Sequence, residues 1–138
     1  MREIKFCGKR VDNGEWIYGD LVHTSYLVYI KDMQDKYTNT RGIDGNKVDV
    51  RCVEVIPETV GEYTGQKDKN DAEIYEGYIV KYFEESVGEI IYKVEWTEFL
   101  GCFSGADNDG NIPLLGGFNR YCEVIGNIHD NPELQEVE

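Results

Sequence analysis

The nine residues 89–97, EIIYKVEWT, constrain this chain more than any other stretch. Ile90, Tyr92, Val94 and Trp96 alternate with Glu89, Ile91, Lys93, Glu95 and Thr97. Successive side chains of a β-strand point to opposite faces, so a period of two sorts these residues into two faces. The first set is apolar and the second mostly polar, which specifies a strand with one face buried and one largely in water. Trp96 is thereby expected in the core beside Tyr92 and Val94. Glu95, on the other face, is expected to contribute little to stability.

Shorter strand candidates fall at 4–7, 16–22, 27–30, 48–56, 78–83, 101–104, 112–115 and 122–128. Turn dipeptides punctuate them. Asn13-Gly14, Asp44-Gly45 and Asp109-Gly110 accept the positive φ of tight turns, and Asn70-Asp71 does so less well. Fifteen glycines in 138 residues exceed the usual share of about 7%. Many short strands with glycine-containing turns indicate an all-β sandwich or barrel. No run of a dozen residues keeps an apolar stripe at helical spacing. One short helix is expected at the C-terminus, where Asn131 can cap, Pro132 can take the first helical position and Glu133 would lie near the positive end of the dipole.

The charge is unevenly placed. The formal net charge is −13. Residues 1–61 hold nine Lys/Arg and ten Asp/Glu, whereas residues 62–138 hold five and seventeen, a net of −12. Together with a pause in the strand pattern at 57–61, this divides the chain into an N-terminal β portion, 1–61, and an acidic portion, 62–138. An acidic surface repels phosphate, which argues against direct nucleic-acid binding through the second portion. The same acidity serves as a solubilising face, a surface for a basic partner, or a mimic of nucleic acid. The sequence has no apolar run long enough to span a membrane and no signal-peptide pattern, so the expectation is a cytoplasmic protein without a membrane partner. Cys7, Cys52, Cys102 and Cys122 are widely spaced and include no C-x-x-C, which favours reduced, metal-free thiols.

Two segments resemble a known family. Residues 63–82, YTGQKDKNDAEIYEGYIVKY, and residues 124–134, VIGNIHDNPEL, are similar to the YopX family of phage and prophage proteins. The start, REIKFCGKR followed by GEWIYGDL, is similar too. The chain departs from the pattern in three places. Asn70-Asp71 stands for the usual Asn-Gly, Tyr78 for the usual Asp of E-G-D, and Cys7 for a common Arg. The resemblance implies an SH3-like small barrel in the C-terminal half. In that arrangement Asp68–Asp71 is a solvated turn, and Ile74 to Gly77 sets the register of the first barrel strand. An Asp at the E-G-D position would shape a turn or cap amides and so be replaceable.

Chemistry-bearing motifs are sparse. His23 and His129 lie far apart. GCFSG at 101–105 places Ser104 one residue late for a nucleophile elbow. The loop beginning at Asp107 has Gly110 at position four and Phe118 at position twelve, and a loop begun at Asp68 has Glu73 at six and Ile79 at twelve. Neither meets the calcium-loop pattern of Gly at six and Glu at twelve. Pairs such as Glu84-Glu85, or Glu95 with Glu98, are read as solvated. No catalytic residue, metal ligand or cofactor is therefore assigned. Aromatic side chains of small barrels either fill the core or bind peptides. Tyr92 and Trp96 are read as core, Tyr75 and Tyr78 as exposed.

The leading expectation is a phage- or prophage-encoded, non-enzymatic protein-interaction module with an unidentified, basic protein partner, engaged through Tyr75, Tyr78, Glu84, Glu85 and Glu89. The sequence is compatible with a homo-oligomer. The alternatives are a nucleic-acid-associated module using Lys5, Lys9 and Arg10, a nucleic-acid mimic, and, last, an enzyme.

Overall fold

The structure is a computed structural model that describes residues 3–32, 40–41, 48–49 and 52–136. The Asp44-Gly45 turn lies outside the described residues. The chain divides into two compact units. One is Ile4–Glu62, and the other is Tyr63–Glu138 with Met1–Glu3.

In the first unit, β1 (Phe6–Lys9), β2 (Trp16–His23), β3 (Val28–Asp32) and β6 (Cys52–Glu54) form an antiparallel sheet in the order β6-β3-β2-β1. A separate two-residue ladder pairs β4 (Thr40–Arg41) with β5 (Val48–Asp49). The β1–β2 turn uses Gly14 at φ +74°, and the Asn13 side-chain Oδ1 accepts the Glu15 N–H at 2.9 Å. Ile17, Ile30 and Val55 form the core. Gly8 lets the chain lie against Val55, since a Cβ there would sit 3.1 Å from the Val55 side chain. A 3-10 turn, Pro57–Thr59, closes the unit. The Thr59 hydroxyl accepts the Lys9 N–H at 2.8 Å and donates to the Ile56 carbonyl at 2.6 Å.

The chain leaves this unit along β7 (Gly61–Lys67), whose first two residues pair with Phe6 and Cys7 of β1. In the second unit the rest of β7 forms a hairpin with β8 (Glu73–Tyr75). Then come β9 (Tyr78–Glu84), β10 (Gly88–Thr97), β11 (Cys102–Ala106), a four-residue helix α1 (Leu115–Phe118), a 3-10 turn (Asn119–Tyr121) and β12 (Cys122–Asn127). The sheet order is β11-β10-β9-β12, all antiparallel. The protein is mainly β, as the alternation indicates, but β11 and β12 do not pair, so the strands form open sheets and not a closed barrel. The C-terminal helix is a 3-10 segment, Pro132–Glu136. At its start the Asn131 backbone carbonyl accepts the Leu134 N–H at 3.1 Å, and the Asn131 Oδ1 accepts the Asn127 N–H at 3.2 Å.

The second core gathers Ile74, Val80, Tyr92, Val94, Phe103, Leu115, Phe118 and Cys122. Ile90, Tyr92 and Val94 share the inner face as the alternation requires, but Trp96 does not complete it. Its side chain is 45% exposed and stands edge-on to Phe103, with ring centroids 5.1 Å apart. The core ends at Phe103, and the last residues of β10 run past it into the β10–β11 turn. Near that turn the opposite face is buried instead, where Thr97 and Ser104 hydrogen-bond to each other. The apolar run 112–115 forms no strand. Leu114 makes one bridge to Ser104, and the helix begins at Leu115.

Gly105 permits the closest approach in this core: a Cβ there would meet Tyr92 Cβ at 2.8 Å and Phe118 Cζ at 3.0 Å. Gly105→Ala should therefore cost about 1–3 kcal/mol through overpacking. Gly117→Ala, whose Cβ meets nothing within 4 Å, should stay within about 0.5 kcal/mol of the parent. Trp96→Ala should cost about 1–2 kcal/mol, less than the ~3–5 kcal/mol of a fully buried aromatic. Urea melts of the three variants check all three values, and a Trp96→Ala effect of about 3–5 kcal/mol, that of a fully buried aromatic, would contradict the half-exposed placement.

Candidate functional site

The stretch from Lys67 to Tyr78 builds a support before it presents a surface. Asp68 follows β7 and is only 1% exposed, so it belongs to the interior and not to a solvated turn. Its Oδ1 accepts the N–H groups of Asn70 and Ala72 at 2.8 and 2.9 Å, and its Oδ2 accepts the Val124 N–H at 2.9 Å. A buried carboxylate is tolerated when its lone pairs are met by donors, and bonds to an ionised acceptor are the stronger class. The next residue continues the tie, since the Lys69 N–H donates to the Cys122 carbonyl at 3.0 Å. The turn ends on Asp71, the only non-glycine among the described residues with positive φ, at 64°. This is the position where the family pattern has glycine.

Tyr75 and Tyr78 emerge from this support differently from the sequence expectation. Tyr75 is 1% exposed, its ring 5.4 Å from Tyr63 and 5.5 Å from Tyr78, and its hydroxyl donates to Glu73 at 3.2 Å. It is a core side chain, because β8 turns its last residue inward. Tyr78 is half-buried and packs against the core cluster.

Glu84, Glu85 and Glu89 are brought together by the β9–β10 hairpin, and all three are exposed. The turn closes through Gly88 at φ +88°, with the Val87 N–H donating to the Glu84 carbonyl. Glu89 lies 3.7 Å from Lys81, a pair exposed enough to be worth about 0–1 kcal/mol. Between these carboxylates Phe83 is 63% and Val87 67% exposed. Sequence reasoning missed both side chains, and also Phe99 and Leu100 in the β10–β11 turn. For Val87, Phe99 and Leu100 the available signal was an apolar residue inside a turn, where no strand face can bury it; Phe83 lies within β9 and gave no such signal.

Other charged groups are engaged within the fold. The Asp107 carboxylate closes its own loop by accepting N–H groups of Asp109 and Asn111 and the Asn111 side-chain amide. Partial burial opposes ionisation there, but these hydrogen bonds outweigh it and hold the group below the ordinary carboxylate range. Arg10 grips Asp12 through two bonds of 2.9 and 2.8 Å and lowers that carboxyl likewise. Lys9 lies 5.9 Å over the Trp16 ring, and Lys5 is buried. The basic cluster of the N-terminus is thus folded into its own surroundings. Among the described residues no three His, Cys, Asp or Glu side chains gather to hold a metal ion, and no helix is long and apolar enough to cross a membrane.

A model of the YopX protein family matches residues 5–136. The chain belongs to the YopX family. Among solved structures it is similar to the crystal structure of protein EF1440 from Enterococcus faecalis, at 18% sequence identity and a TM-score of 0.64, over 98% of this chain and 99% of that one. At that identity the likeness is one of fold. No curated protein matches the chain.

In this YopX-family chain all four cysteines are free. Burial, followed by the nearby Asp68 charge, pushes the Cys122 thiol up to about 11, so it stays protonated at neutral pH. Iodoacetamide at pH 8 should label Cys52 and Cys102 and leave the buried Cys7 and Cys122 until the protein is unfolded, as read by mass spectrometry. Asp68→Asn should cost about 2–3 kcal/mol, because the amide cannot accept from all three donors and leaves one unmet. Asp71→Gly should gain about 0.5 kcal/mol by removing the left-handed strain, since the exposed Arg120 pair it gives up is weak. Denaturant melts test both signs. Equal stability of Asp68→Asn and the parent would refute the role given to that carboxylate.

Proposed function

We propose that this protein is phage- or prophage-encoded, non-enzymatic and cytoplasmic, and that it works by contact with a basic protein. The observation that carries the reading is the β9–β10 hairpin, where Phe83 and Val87 stand exposed among Glu84, Glu85 and Glu89. Apolar side chains rimmed by carboxylates suit a partner that offers apolar groups flanked by Lys or Arg. The net charge of −12 over residues 62–138 adds long-range attraction for such a partner. Support for an SH3-like arrangement, opened along one side, comes from the order of elements: a three-strand meander, a short helical turn, then a last strand beside the first of the meander. The non-enzymatic reading is supported by the described carboxylates that the fold engages, Asp68 and Asp107 by backbone amides and Asp12 by Arg10. A nucleic-acid module built on Lys5, Lys9 and Arg10 has less support, because each of these side chains is buried or engaged.

The test is a pull-down from lysogenic host extract with and without nucleases. Recovery of a basic protein should survive nuclease and fall steeply between about 50 and about 500 mM salt, over which screening tightens several-fold. Glu84→Lys and Glu85→Lys with Glu89→Gln should abolish it while circular dichroism stays unchanged. Glutamine is chosen at 89 because Lys81 is its neighbour. Salt-independent recovery by the folded triple variant would refute an electrostatic contact at this hairpin, and release by nuclease would favour the nucleic-acid reading.

A further inference from the structure

A second surface of the same unit has a shape that the acidic hairpin lacks. Between the β10–β11 hairpin and helix α1 lies a groove of about 430 Å³, lined by Trp96, Phe103, Leu114, Gln66, Gly116 and Gly117. No residue lining it is charged. Trp96 and Leu114 are about half exposed, and the hairpin beyond them carries Phe99 with 79% of its surface in water. Large apolar groups left in contact with water around one concavity mark a contact surface more often than chance exposure does.

The two glycines of the lining are not required by the backbone. Neither has a positive φ, and Gly is the poorest residue for a helix after proline. A Cβ on Gly117 would meet nothing within 4 Å, and one on Gly116 would meet only Gln66 Nε2 at 3.9 Å. Glycine leaves this part of the lining bare, with open space where a side chain would stand.

The charge decides what enters. The groove is neutral, but it sits on a portion of net −12, and the exposed Glu98 lies in the hairpin turn directly before Phe99. A phosphate backbone is repelled, and so is a second copy of a chain with net charge −13. A cationic polypeptide is attracted. The geometry points to a docking site for a basic peptide segment that seats one large apolar side chain against Trp96 beside Gly116 and Gly117, with a flanking Lys or Arg near Glu98. This deepens the proposed protein-contact role and rests on it.

The probe is a display library of random dodecapeptides panned against the full chain. Enriched peptides should carry net positive charge and at least one large apolar residue. One of them, synthesised, should change the Trp96 fluorescence of a Trp16→Phe background as it binds. Gly117→Leu, which puts a bulky side chain into the open space at the lining, and Leu114→Gln, which removes an apolar lining group, should each weaken binding by about tenfold or more with the thermal midpoint unchanged. Two independent variants guard against a folding defect in either. Enriched peptides that are acidic, or that hold Gly117→Leu and Leu114→Gln as tightly as the parent, would overturn the groove. If those same peptides are lost on the Glu84→Lys, Glu85→Lys, Glu89→Gln variant, the groove fails while the protein-contact reading stands. No enrichment on the parent or on any variant would overturn both.

Discussion

One buried carboxylate organises the second half of this protein. Asp68 meets Asn70 and Ala72 with one oxygen and Val124 with the other. The first two bonds shape the turn between β7 and β8. The third reaches across more than fifty residues to the outer edge of β12. An edge strand presents unpaired N–H and C=O groups that invite wrong pairing. Here the Asp68 side chain takes the Val124 N–H, and the Lys69 backbone N–H serves the Cys122 carbonyl. The loop thus replaces a neighbouring strand without being one. The opposite edge is managed similarly, with the Gly105 N–H donating to the Pro113 carbonyl. At both edges of a four-stranded sheet that stays open, backbone groups are thus met by loop partners.

The candidate surfaces depend on that closure. Once β12 is held, Cys122 and Val124 pack inward with Val80 and Tyr92, and the β9–β10–β11 meander has a firm inner face. Its two hairpin ends then project past the core. One end carries Glu84, Glu85 and Glu89 around Phe83 and Val87, and the other carries Phe99 beside the Trp96 groove. Both are apolar groups held out by rigid strands, so their ordering cost is met by the fold before any partner arrives.

Much of this was legible in the residues, and the misreadings have physical reasons. The alternation at 89–97 located β10, its inner face through Val94 and the mainly β class. It failed at Trp96, because a period of two says which side a residue is on and not where the core stops. The dipeptides Asn13-Gly14 and Asp109-Gly110 marked positive-φ turns, with Gly14 and Gly110 in that region. The β7–β8 hairpin was hidden, since Gly61–Lys67 is polar and glycine-rich and its pairing is secured by backbone and by Asp68. That carboxylate looked like one of many solvated acids, because a sequence shows charge and not burial. The burial of Tyr75 is hidden for a similar reason: its place at the end of a short strand reveals nothing of the Tyr63 and Tyr78 rings on either side. The run 112–115 was apolar enough for a strand, but it becomes one bridge and a helical turn that roofs the core with Leu115 and Phe118.

The central claim is that the Asp68 carboxylate holds the outer edge of β12. Amide hydrogen exchange followed by NMR on the native protein tests it at the atoms concerned. The account predicts that the Val124 N–H, which faces away from any strand, exchanges as slowly as the paired amides of β9 and β10, and that the Asn70 and Ala72 amides are protected as well. A Val124 amide that exchanges at the rate of the exposed hairpin turns, while β9 and β10 stay protected, would contradict it.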